Sequence, residues 1–301
     1  MKKKFTIILL AVLISLTSFS QEREWVYSLP IAKIMARAQN KMILMIWDNA
    51  AQYPLPVMVK DSRGRTVIVE DLFTSPELNE IIWNTFIPVV VGEESYTSLF
   101  EEVKDKRSQT YIDKFNSDAL KVMDANGTIL GTSSLFVDII NFSKFLEKYG
   151  LNTSYIQQEL INYNTEKTFY TSFYLASKYL DYSVLCNASV RNDILKLADI
   201  YFENAEYYLN KENPEDKEAL LQRIMLTQTK EDLIKGKSKR VLRKLKKLED
   251  IPILKTNQPL LNFLYYTAYR LQNDREKFQP LEKEISLLHL KQAQRIVEIN
   301  R

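Results

Sequence analysis

The chain of 301 residues has a single cysteine, Cys186, and a single histidine, His289. One thiol forms no intramolecular disulfide, and one Cys with one His falls short of a zinc cluster. A Ser-His-Asp site would have to use His289, which sits in the helical run "SLLHLKQAQRIVEI", where an ordinary helix-surface role suffices. There are only six glycines, and none falls in a dinucleotide-binding or P-loop spacing. No metal and no cofactor is therefore expected. Paired-carboxylate hydrolysis stays open, because its pairing is spatial and leaves no linear motif.

Long apolar runs are also scarce. The first, Phe5 to Leu16, is too short to span a bilayer and follows Lys2, Lys3 and Lys4. Polar and small residues come next, with Ser18 and Ser20 at −3 and −1 of a cut before Gln21. We read residues 1–20 as an export signal rather than a retained anchor, and the mature chain as soluble and periplasmic or secreted. The whole chain carries 41 basic and 38 acidic residues. Removing the three lysines and no acid leaves 38 of each. A neutral mature chain lacks the broad basic surface that nucleic acid requires.

The remainder divides near Gly150. All three tryptophans and five of the six glycines precede or mark that point. The first part, 21–150, alternates helix-like and strand-like patterns. In "LPIAKIMARAQNK" Ile31, Ile34, Met35 and Ala38 share one helical face, expected to be the packed one. "MILMIW" and "FIPVVVG" read as continuous strands covered on both faces. "PVMVKDSRGRTVIVEDL" predicts a hairpin, and "SPELNEIIWNTF" a helix capped by Ser75 with Pro76 in its first turn. A long helix is expected from Tyr96 to Phe115, then a hairpin through "DANG", then a helix ending at Gly150. The second part, 151–301, has apolar residues at spacings of three and four. Breaks fall at "NKENPED", "IKGKS", "EDIPILKTNQP" and "QND". Those pieces predict an all-α domain of helical hairpins; a tetratricopeptide-like array is the alternative, without a clear 34-residue period.

From Ile31 to Tyr149 this order resembles the secreted thioredoxin-like domains. "AKIMARAQNKMILMIW" is similar to their entry helix and first central strand, whose tryptophan precedes Cys-x-x-Cys. "SPELNEIIWNTFIPVVV" is similar to their next helix and strand, and "ALKVMDANGTIL" to their last hairpin. The resemblance implies a thioredoxin-like fold with the active-site region at Trp47, Asp48, Asn49, Ala51 and Tyr53. In that register Asp48 and Ala51 replace the two cysteines, and Asp118 takes the place of the cis-proline. Thiol–disulfide exchange needs an attacking thiolate and a second thiol, so the implied domain is redox-inactive. Pro54 and Pro56 preclude a long helix directly after the motif.

Each remaining signal has an ordinary reading. Asp48 can cap a turn, and Trp47 can be core. The tyrosines at 53, 163, 170, 174, 207, 208, 265 and 266 can line a peptide or glycan groove, or pack helices with their hydroxyls at the wet edge. The basic stretch from Lys237 to Lys247, with its seam of Val241, Leu242, Leu245 and Leu248, can touch an anionic membrane or simply pack on a neighbour. The sequence thus favours a non-catalytic exported protein that binds a protein or peptide. The alternatives are a hydrolase with a carboxylate pair and a chaperone-like member of the thioredoxin family without redox chemistry.

Overall fold

Two apolar six-residue runs make the centre of the fold. In the computed structural model, which describes residues 24–133, 139–248 and 252–301, β1 (Met42–Trp47) lies parallel to β4 (Phe86–Val91), and all twelve side chains are buried. The expected leader and its cut before Gln21 fall outside the described residues. On its other side β1 pairs antiparallel with β5 (Lys121–Met123), which pairs antiparallel with β6 (Ile129–Thr132), giving the order β4-β1-β5-β6. Beyond β4, Val26 makes a parallel bridge to Val89. Pro88 fits inside β4 because its carbonyl faces Val26, so its missing N–H also points away from β1.

Helices cover both faces. α1 (Leu29–Gln39) precedes β1, and the one-turn α2 (Asp48–Ala51) follows it. α3 (Pro76–Thr85) leads into β4, with Ser75 accepting from the Leu78 amide at 3.3 Å as the expected cap. The hairpin of β2 (Val57–Lys60) and β3 (Thr66–Val69) forms a second, three-stranded sheet with β7 (Ile140–Asn141). α6 (Phe142–Tyr149) then closes the region.

Three expectations need correction. The buried face of α1 is Leu29, Ala32 and Ala36, whereas Ile31 and Ile34 are 52% and 60% exposed. Small residues let this helix lie close to the strands, so the larger apolar side chains face outward. The single helix over 96–115 is in fact two, α4 (Tyr96–Val103) and α5 (Gln109–Asn116). Residues 104–108 turn between them, and Ser108 takes an extended conformation before α5. Gly150 does end α6, but at φ −71°, so it needs space and not left-handed freedom. A Cβ there would stand 2.7 Å from the Leu146 carbonyl oxygen and 2.8 Å from Thr85.

The rest of the chain is helical: α7 (Gln157–Thr165), α8 (Phe169–Leu185), α9 (Ala188–Glu212), α10 (Lys217–Ile234), α11 (Ser238–Lys246), α12 (Gln258–Leu271), α13 (Arg275–Leu281) and α14 (Leu287–Glu298). The four expected breaks fall between α9 and α13, and the further break between α13 and α14 is not among them. Helix α11 buries Val241 and Leu245, while Arg240 and Lys244 reach Asp232 of α10 at 3.3 and 2.7 Å. Its apolar seam is thus packed within the protein. One continuous cluster of buried residues joins the sheet region to the helices, from Leu29 to Ile296.

Candidate functional site: a cleft between the sheet and the helices

The region after β1 is mostly filled. Trp47 is 3% exposed, with its indole N–H donating to the Phe115 carbonyl at 2.9 Å and its ring against Tyr96 and Phe115 at 5.5 and 5.3 Å. Asp48 begins α2 half-buried, without a side-chain capping bond. Asn49 is exposed, Ala51 is half-buried, and Tyr53 is 73% exposed. Asp118 is exposed just before β5. The residue that connects this group is one the sequence reading passed over. Lys121 is fully buried, with its Nζ 5.5 Å from the centre of the Trp47 ring. It donates to the carbonyls of Ser117 and of Ala119, the latter at 3.2 Å. Burial pushes its pKa down to about 8, against the opposing pull of Asp118. Lys121 thus lies against the Trp47 ring and within electrostatic reach of Asp118.

An open site lies next to this cluster. The sheet presents Met45 and Met123, α1 presents Lys33, and α5 presents Tyr111 and Phe115. Helices α7 and α9 lie opposite with Tyr163, Tyr207 and Tyr208, enclosing a cleft of about 690 Å³. Three of the eight tyrosines named from sequence therefore meet in one place. Tyr170 and Tyr174 instead stack on each other at 48% and 56% exposure.

Two polar constructions hold the cleft in shape. The first is the β5–β6 turn. Asp124 is fully buried and accepts from the amides of Asn126 and Thr128 at 2.9 Å, from the Tyr179 hydroxyl at 3.0 Å, and from the Tyr201 hydroxyl. Burial raises its pKa and these four donors oppose the shift. The phenols come from α8 and α9, so one carboxylate ties the sheet to the helices. The second is Arg107, in the break between α4 and α5. Its guanidinium donates to Glu203 at 3.3 Å and to Asn204 at 2.9 Å, and Asn204 donates to the Tyr163 hydroxyl at 2.9 Å. The interruption of the expected long helix is what brings Arg107 to α9.

Inside the cleft, Lys33 and Asn126 lack partners among the described residues. Lys33 makes no hydrogen bond or ion pair with any of them, and burial lowers its pKa even with Glu102 and Asp124 nearby. It lies over Gly127, where a Cβ would stand 2.3 Å from its Cε. Glycine is favoured there by its φ of +87°, whereas the flexible end of Lys33 could move aside from a Cβ. Both side-chain polar atoms of Asn126 are shielded from solvent and unpaired.

One carboxylate pair also stands out. Asp199 of α9 touches a smaller cavity of about 310 Å³, and its pKa is raised to about 7, chiefly by burial and then by Glu231. Glu231 in turn pairs with Lys235. Among the described residues no cluster of three or more His, Cys, Asp or Glu is arranged to hold a metal ion. No helix among them is long and apolar enough to cross a membrane. No known protein family, no curated protein and no solved structure matches this chain.

Proposed function

We propose that the protein is an exported, redox-silent binding protein whose thioredoxin-like first unit and helical-hairpin second unit hold a protein or peptide segment in the cleft between them. The observation that carries this reading is the cleft itself, a tyrosine-lined space beside a sheet with unpaired polar groups on its wall. The thioredoxin-like assignment is supported by the order β4-β1-β5-β6, the parallel bridge at Val26 and the position of Trp47 at the end of a central strand. With Asp48 and Ala51 in the positions of the family's thiols, the site retains a place to dock a chain but no means of exchanging its disulfides.

A hydrolytic reading finds its best support in Asp199 and Glu231. Only Asp199 lines the cavity, and Glu231 is paired with Lys235, whereas glycoside hydrolysis needs two carboxyls about 5–10 Å apart with the scissile bond between them. The binding reading is therefore preferred. It is tested by placing a photo-crosslinking phenylalanine analogue at Tyr207, and separately at Tyr174, in cells that export the protein. Adducts from position 207 and none from position 174 are expected. Adducts at 174 alone would refute the cleft as the binding site.

A further inference from the structure

The unpaired groups in the cleft have a chemical sense. A buried polar group left without a partner costs roughly 1–3 kcal/mol, and native structures tolerate few of them. Here Asn126 is such a residue, and the half-buried Lys33, unpaired among the described residues, lies across the next turn residue. The Lys33 side chain crosses Gly127, and the Asn126 carboxamide precedes it. Between them they offer an ammonium with three N–H donors and an amide with two, against one amide oxygen. The carboxylates that could have answered Lys33 are engaged or rim-bound. Asp124 is saturated by two amides and two phenols, and Glu203 is held by Arg107. Glu102 lines the cleft and makes no ion pair with Lys33.

Resting on the peptide-binding reading above, we propose that Lys33 and the Asn126 amide form the anchor for a carboxylate on the bound peptide, with Tyr163, Tyr207 and Tyr208 as the shelf for the residues next to it. A carboxylate oxygen accepts from both donors at once, and charge-assisted bonds of this kind are about twice as strong as neutral ones. The lining argues for one carboxylate and against a polyanion. Lys33, Lys106, Arg107 and Lys167 are offset by Glu102, Asp105 and Glu203 to leave one net positive charge, so a string of negative charges would meet repulsion. Aromatic faces beside the anchor accept apolar and aromatic side chains with little sequence restriction.

The carboxylate can be a C-terminus or an Asp or Glu side chain, and three synthetic heptapeptide mixtures separate the cases. The first has free C-termini and no Asp or Glu, the second is the same mixture amidated, and the third is amidated but contains Asp and Glu. Binding to the purified chain is read from the ¹H–¹⁵N resonances of the Asn126 side chain and the Gly127 amide. The expected result is a shift with the first or third mixture, at least tenfold weaker binding of the second, and a loss of tenfold or more in the Lys33→Met variant. That variant removes a desolvated charge and should melt no lower than the parent, while Lys33→Arg retains most binding. Equal binding of all three mixtures, unaffected by Lys33→Met, overturns the carboxylate anchor and leaves peptide binding standing. No shift with any mixture overturns both.

Discussion

Consider removing the phenol hydroxyls from Asp124. Tyr179 and Tyr201 are fully buried, and their rings stack at 5.6 Å, so Tyr→Phe keeps the packing and deletes only the hydroxyls, that of Tyr201 also meeting the Thr128 hydroxyl at 3.1 Å. Each hydroxyl bonds a carboxylate, an interaction worth about 1.5–3 kcal/mol. Each single variant should therefore lose about 2 kcal/mol of unfolding free energy in urea. The double variant leaves one Asp124 oxygen buried without a donor. Its cost should reach about 3–5 kcal/mol and stop short of unlimited growth, because the carboxyl takes up a proton instead. The sign with pH follows from that. The folded-state pKa of Asp124 already lies above its ordinary value, and losing two donors raises it further. A raised carboxyl pKa gives stability that is present at low pH and lost as pH rises through the folded value. The double variant should thus lie closer to the parent at pH 5 than at pH 8. A double variant within about 0.5 kcal/mol of the parent at pH 8 would refute Asp124 as the tie between sheet and helices.

Three other outcomes are expected. Asp199→Asn should raise the melting temperature at pH 8 and leave it nearly unchanged at pH 4, since a carboxyl raised to about 7 is neutral in the fold at low pH and costs stability above it; the gain is about 1–2 kcal/mol after discounting for partial exposure, and a pH-independent effect would count against it. Burial pushes the Cys186 thiol up to about 11, so iodoacetamide at pH 8 should modify it about a hundredfold more slowly than in urea, and the protein should not reduce insulin disulfides; rapid native alkylation contradicts this. Trypsin cutting at the exposed Lys167 should leave two pieces that still co-elute on gel filtration, because Asp124 and the Lys148–Asp193 pair bridge them; separation without denaturant would show the shared core to be weak.

The parts of the fold that were legible in sequence are those governed by local chemistry. The strands β1 and β4 announce themselves as unbroken apolar runs, and the turn "DANG" carries its glycine at φ +87°. The helix breaks of the second half follow proline, glycine and asparagine. What was hidden depends on contacts between distant segments. The large apolar residues of α1 point outward because Ala32 and Ala36 permit close packing on the strands, which a count of apolar residues reads backwards. The turn at residues 104–108 contains neither glycine nor proline; its Arg107 finds partners almost a hundred residues away. Lys121 reads as an edge-of-strand lysine, yet the carbonyls of Ser117 and Ala119 receive it in the interior. Lys33 and Asn126 carry no motif at all, and only the crossing of α1 over the β5–β6 turn makes them neighbours. The tyrosines at 163, 207 and 208 were visible as candidates, but nothing in the sequence separated them from the five that lie elsewhere.

The helix α4 has no fully buried residue, although it lines the cleft with Leu99 and Glu102. It hangs between the aromatic cluster of Tyr96 at one end and the Arg107 clip at the other. That clip is largely covered, with the Arg107 side chain 13% exposed and bonded to both Glu203 and Asn204. Tyr96, Leu99, Phe100 and Val103 nonetheless pack against the core from one side of the helix, so the wall is held along its length as well as at its ends. The register of this wall against α9 thus hangs on a single side chain, since Arg107 alone carries the hydrogen bonds to Glu203 and Asn204 described for this segment.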